Sequence, residues 1–427
     1  MQSAWRVGKI LGIPLLVDTS WFFILALFTY FNASDWQQGY PEWGVALAWL
    51  TGLGMSLSLF ASVLLHELGH SLVAKSQGIQ VNSITLFLFG GIAAIDQESK
   101  TPGQAFQVAI AGPVVSLIIF GLAAVAAELL PVHSPIAILT TNLSQMNLVL
   151  ALFNLLPGLP LDGGQVLKAA VWKITGNRFQ GVHWAARVGQ ALGWTAIILG
   201  VAALLLLGTG SGLWIALMGW FAVRNATNYN RAANLQEAVA ALTASDAMSP
   251  DFRVVEATLS LREFAERYLI SEIGDHRQTP ISAVSYFAAA DGRYRGLVRP
   301  NDLSVIERSL WDSQTVQQLV TPLSEIPTVV EKTSLPQVIA LLEDQKLGRV
   351  TVLSPAGAVA GIIDRGDVVK ALAKKMGWPL SEADIRRIKE EGNYPPGLAL
   401  GALAQMILRD QEPVPAPVPV TPSISQQ

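Results

Sequence analysis

Two histidines four residues apart, His66 and His70 in HELGH, stand at the end of the apolar run TGLGMSLSLFASVLLHELGH. On a helix this spacing puts both imidazoles on one face, one turn apart, where they can share a metal ion. Glu67 lies beside them, where a zincin-type peptidase keeps the general base for a metal-activated water. An ionisable residue at bilayer depth costs about 2.5–3.5 kcal/mol on insertion scales, so such groups imply a compensating partner. A metal is one such partner. The residues therefore predict a metallopeptidase whose active site lies within the membrane.

Two histidines and a water leave a tetrahedral zinc one protein ligand short. Asp162 in NLLPGLPLDGGQVL, residues 154–167, is the acid available in that apolar stretch. Pro157 and Pro160 interrupt any helix there, and Gly163 and Gly164 are expected to let the backbone turn tightly. Taken alone, Asp162 reads equally as a turn-capping aspartate. Asn154 offers an amide donor for the oxyanion of peptide hydrolysis, or alternatively an interhelical hydrogen bond. The stretch SITLFLFGGIAAI, residues 83–95, predicts a strand or hairpin. Its Thr85, Phe87, Phe89, Gly90 and Gly91 are candidates for clamping an extended substrate by strand addition, or for a packing hairpin over the helices. His133, His183 and His276 lack any comparable context and read as surface or packing residues.

Elements of the right length exist to position these groups. The chain has 427 residues, 51% of them hydrophobic and only 14% charged, the composition of a membrane protein. It has no cysteine, which excludes disulfides, thiolate zinc sites and a thiol nucleophile. The net charge of −3, with no basic patch, speaks against nucleic acid as a partner. Apolar runs near 14–31, 45–74, 104–130, 136–156, 185–207 and 212–223 read as six membrane segments, the first interrupted by Asp18. With six spans, Arg6, Lys9, Lys75, Lys100, Lys168, Lys173, Arg178, Arg187, Arg224 and Arg231 all fall on one side. That asymmetry predicts cytoplasmic termini and places HELGH towards the cytoplasmic end of its helix.

HELGH, LFLFGGIAAI, AGPVVSL and NLLPGLPLDGGQVL, in that order, resemble the site-2 protease family of intramembrane metallopeptidases over roughly residues 1–230. The resemblance implies that His66, His70 and Asp162 bind one zinc ion per chain, that Glu67 is the catalytic glutamate and that Asn154 stabilises the oxyanion. It further implies a single-pass membrane protein as substrate in the lipid bilayer, cut in or near its transmembrane segment in regulated intramembrane proteolysis.

Beyond Ala232 the pattern changes to short amphipathic helices and strands with an internal repeat. Gly296 and Asp302 of GLVRPNDL are matched by Gly361 and Asp367 of GIIDRGDV at one offset of 65 residues. This half resembles a tandem pair of cystathionine-β-synthase (CBS) domains, modules that pack in pairs and bind adenine nucleotides. Asp302 and Asp367 are then candidates for ribose hydroxyls. Arg299 and Asp364 stand where the CBS pattern has Thr or Ser, so the pair reads equally as a nucleotide site or as a dimerisation or docking platform.

The expected architecture is a multi-span α-helical membrane protein of about six helices with a small membrane-associated β segment, followed by an α+β tandem CBS domain. Its expected divisions are a metalloprotease domain at 1–231, a linker at 232–243, the CBS pair at 244–374, a helical segment at 375–410 and a disordered Pro-rich tail at 411–427. The expected activity is a zinc-dependent intramembrane endopeptidase whose CBS pair regulates it or makes it a homodimer. The competing reading is a CBS-regulated channel or transporter, which would need a polar pathway through several helices.

Overall fold

A computed structural model of the chain describes residues 4–88, 90–131, 134–270 and 284–411, in two compact units, Met1–Asn234 and Leu235–Gln427. Phe89, His133, His276 and the Pro-rich stretch 412–427 lie outside the described residues.

The first unit opens with an element that the apolar runs conceal. Strands β1 (Ala4–Ile10) and β2 (Ile13–Asp18) form an antiparallel hairpin, and helix α1 (Thr19–Gly39) follows at once. Asp18, which interrupts the first apolar run, is the N-cap of α1, its carboxylate accepting from the Ser20 N–H at 2.9 Å. The run 14–31 is thus half strand and half helix. Helix α2 (Gly44–Ser76) carries HELGH in its last third. Strands β3 (Val81–Phe87) and β4 (Gly90–Ile95) then complete a four-stranded sheet in the order β1-β2-β3-β4. The sheet lies on α2 through Ile13, Ile84 and Leu68, with Leu64 and Ala93 packed beside them.

Four further helices follow: α3 (Pro102–Glu128), α4 (Pro135–Asn154), α5 (Asp162–Thr175) and α6 (Arg178–Leu207), before α7 (Ser211–Ala241). Among the described residues, four segments are long and apolar enough to cross a membrane: Pro41–Ser76, Pro102–Glu128, Pro135–Asn154 and Arg178–Leu207. Their outward faces stay apolar, with Leu122, Leu205 and Leu206 68%, 75% and 81% exposed, as a lipid-facing surface requires. Helices α6 and α7 meet through glycines. A Cβ on Gly193 would stand 2.8 Å from the Gly219 carbonyl, the close approach that small residues permit between membrane helices.

The second unit holds two small mixed sheets. One has the order β5 (Phe252–Glu256), β6 (Ser285–Ala290), β7 (Arg293–Val298), β8 (Val320–Pro322). The other pairs β9 (Thr328–Val330), β10 (Val350–Leu353) and β11 (Val359–Ile363) in the order β11-β10-β9. Each sheet combines one parallel pair, β5–β6 or β9–β10, with the antiparallel pair that follows it. The repeat seen in the sequence is therefore a repeat of strand pairing. Phe287, Ile326, Val359 and Ile362 bury a shared cluster between the two sheets.

Residues 232–241, expected as a linker, are the end of α7. That end contributes Val239 to the core beneath the second sheet. The helix Leu400–Gln411 buries Leu400, Ala404 and Ile407 in the same core, so the C-terminal helical segment packs with the second repeat.

Candidate metal centre

His66 and His70 are both buried on α2, 3% and 8% exposed, and they face α3. Their Nε2 atoms are 3.3 Å apart. Asp162, the first residue of α5, reaches both: Oδ2 lies 3.0 Å from His66 Nε2 and Oδ1 lies 3.3 Å from His70 Nε2. Each ring is oriented from behind. His70 Nδ1 donates to the Val108 carbonyl at 2.7 Å, and His66 Nδ1 lies 2.9 Å from Ser116 Oγ. A carbonyl can only accept, so His70 carries a proton on Nδ1, and in the neutral ring its Nε2 then has the lone pair a metal needs. Two imidazole nitrogens and a carboxylate that converge on one point form a donor set of the kind that binds zinc. The three residues offer ligand atoms all within 4.8 Å of one another, a set that can hold a metal ion.

The backbone of α3 is shaped around this centre. A Cβ on Gly112 would collide with the Nε2 atoms of both histidines. The glycine of AGP is therefore a cradle for the ion site. Ser116, one turn further along, carries the hydroxyl behind His66, so the AGPVVS stretch contributes two groups to the site that the sequence reasoning did not use. The serine at four residues from Gly112 was the available signal, since both fall on one helical face.

Asp162 is presented differently from expectation. Gly163 and Gly164 are not turn glycines with positive φ but part of the first turn of α5. Side chains at these positions would run into the backbone of Leu155 and Leu156 and of Gly158 and Leu159. The two glycines thus let the start of α5 press against the irregular segment that follows α4. A second tie acts from the far side. Lys168 of α5 donates to Glu98, in the loop after β4, at 2.9 Å. Burial opposes the charge on Glu98, but the Lys168 ammonium, helped by Arg178, holds the carboxyl below its ordinary range.

Glu67 and Asn154 face a cavity of about 660 Å³ that also borders His66, Asp162, Gly90 and Gly91. Its walls are otherwise apolar, with Phe153 from α4, Leu192 from α6, and Trp214 and Met218 from α7. Of the expected clamp, Thr85 sits on β3, which is paired on both sides, with Leu16 of β2 and Ile92 of β4. Its strand has no free edge to add to. The open edge belongs to β4, with Gly90 and Gly91, and Phe87 ends β3 opposite Gly90. His183 lies apart from the centre, its Nδ1 donating to Asn230 Oδ1 at 2.7 Å.

In the second unit Asp367 is 3% exposed and exchanges capping hydrogen bonds with Asp364 at the start of the helix Arg365–Met376. Lys389, from the helix Glu382–Glu391, reaches it at 2.7 Å and also lies 3.4 Å from Asp364. Burial and then the Asp364 charge push the Asp367 carboxyl up to about 6 against the pull of that ammonium. Asp302 lies in the 3-10 turn Pro300–Val305 after β7.

Residues 54–145 and 131–196 match peptidase family M50, and residues 316–374 match the CBS domain family. A protein named as a zinc metalloprotease, sll0528, from Synechocystis sp. is 43% identical over 373 residues, which is 87% of this chain and 96% of the relative. The zinc metalloprotease Rip3 of Mycobacterium tuberculosis is 33% identical over 380 residues, 87% of this chain and 93% of Rip3. Among solved structures, a site-2 protease from Methanocaldococcus jannaschii shares 28% identity over 53% of this chain and 95% of its own, with a TM-score of 0.40. The chain is an integral membrane protein that belongs to the site-2 protease group of zinc metalloproteases, peptidase family M50, and carries a CBS domain in its second half.

Proposed function

We propose that this chain is an intramembrane endopeptidase that hydrolyses a peptide bond in or near the transmembrane segment of a single-pass membrane protein. The observation that carries the reading is the convergence of His66, His70 and Asp162 beside Glu67, in an apolar cavity next to an open strand edge. His66, His70 and Asp162 are the zinc ligands. Zinc held there supplies a Lewis acid that makes water nucleophilic near neutral pH. Glu67 accepts the proton of the attacking water and passes it to the leaving amine. The Asn154 amide donates to the oxyanion as the carbonyl becomes tetrahedral. Ser116 orients the His66 ring, and the Val108 carbonyl orients His70 with its proton on Nδ1.

The apolar walls from Phe153, Leu192, Trp214 and Met218 suit a hydrophobic segment, and the edge of β4 suits one that has unwound. In this reading α1 and the first part of α7 complete six spans, with both termini and the CBS pair in the cytoplasm, because all ten Lys and Arg residues before Leu235 then share one side. The second unit, with the CBS pair at 244–374, regulates cleavage or joins two copies, and an adenine nucleotide reaches Asp367 only where Lys389 gives way.

The test is a membrane-proteome comparison between cells carrying the wild type and cells carrying Glu67→Gln. A single-pass stub that accumulates with Glu67→Gln and is shortened by the wild type supports the proposal. Cleavage that persists in Glu67→Gln refutes the assignment of the base.

A further inference from the structure

We infer that β4 positions the general base: the Ala93 N–H holds the Glu67 carboxylate, and Gly91 leaves the space for it. This rests on the reading of Glu67 as proton acceptor and deepens it. The direction of each β4 amide follows from strand alternation. Asp96 N–H donates to the Gln80 carbonyl at 3.0 Å, and the register shift beside it adds its extra residue, Asn82, on β3, so alternation runs unbroken along β4 and its even-numbered amides face β3. Those of Gly91, Ala93 and Ile95 face the open edge. The Ala93 amide stands beside the Glu67 carboxylate there and is placed to donate to it.

Gly91 supplies the second observation. A Cβ at that position would lie 2.6 Å from Glu67 Cγ and 3.3 Å from Cδ, so any side chain would move the carboxylate. The strand is also fastened to the helix that bears Glu67, because Ala93 packs against the cluster of Ile13, Leu68 and Ile84. The N–H donor and the Glu67 backbone are therefore held in one rigid frame, and only the glutamate torsions remain to be set. A carboxylate has about four acceptor positions. One fixed amide on it restricts those torsions and leaves acceptor capacity for the proton of the attacking water. Gly91 and the Ala93 N–H are positioning groups, acting through Glu67.

The experiment is backbone amide exchange on the full-length chain in detergent micelles, read by NMR with 15N-alanine labelling. In the wild type the Ala93 amide should be protected although it faces the open edge. Glu67→Ala should speed its exchange at least tenfold, while Ala94, paired with β3, stays protected. Unaltered Ala93 exchange in Glu67→Ala overturns the inference. A kinetic arm uses the stub that accumulates with Glu67→Gln: Gly91→Ala should lower kcat at least tenfold with KM and zinc content unaltered. A raised KM at unaltered kcat overturns the inference and makes Gly91 a substrate contact only. Loss of cleavage in Glu67→Gln, combined with unaltered Ala93 exchange, removes the positioning claim and leaves the base assignment standing. Cleavage retained in Glu67→Gln removes the base assignment itself.

Discussion

At the scale of residues, the metal ligands and their supports have different visibility. His66, His70, Glu67 and Asp162 are ionisable groups in apolar sequence, and the energetic cost of that placement makes them conspicuous. Ser116, Gly112 and the Val108 carbonyl are not, because a serine, a glycine and a backbone oxygen are ordinary in any helix. Their roles follow only from packing, with α3 laid against both imidazoles. Removing the oriented partner of a metal-bound histidine typically weakens metal binding about 10–100-fold. Ser116→Ala should therefore weaken zinc binding by about that factor in a competition titration with a chelator. Gly112→Ala should bind still less zinc, since its Cβ has to displace both Nε2 atoms. Wild-type affinity in both variants would show that α3 does not shape the centre.

At the scale of elements, apolar runs marked the helices but could not distinguish a strand that precedes a helix from the helix itself. Residues 14–31 are the case in point: Ile13–Asp18 is a strand, Asp18 caps the next element, and only the N-cap geometry separates them. The hairpin at 83–95 was legible from its β-branched residues and paired glycines. Which of its strands is open was not, since the partner on the other side, β2, is some 70 residues away in sequence. The C-terminal helices show the same limit. Lys389 lies in a helix expected only as part of a C-terminal helical segment, yet its ammonium is the counter-ion of two buried aspartates. Removing one partner of a buried ion pair costs several kcal/mol, and Lys389 is partly exposed, so Lys389→Met should lose about 2–3 kcal/mol. The charge on Asp367 is what makes the loss large. Its carboxyl is raised to about 6 and would rise further without the ammonium, so the difference between wild type and variant should be small below about pH 6 and grow as pH rises above it. Thermal unfolding of the full-length chain at pH 5 and pH 8 measures it, and an equal difference at both pH values would contradict the ion pair.

At the scale of the whole molecule, a metalloprotease unit and a CBS-bearing unit are both legible in the sequence, because each leaves a repeating or ordered motif in the chain. Membership of family M50 and the zinc metalloprotease relatives do not favour a transport reading, and the ionisable residues that line the apolar cavity, His66, Glu67 and Asp162, stand together. Catalysis in this reading requires a single ion held by residues from α2 and α5. Metal analysis of the purified full-length chain tests this most directly. The wild type and Glu67→Gln should each carry close to one zinc per chain, and His70→Ala and Asp162→Ala should carry almost none. A wild type without zinc, or a full complement of zinc in His70→Ala, would contradict it.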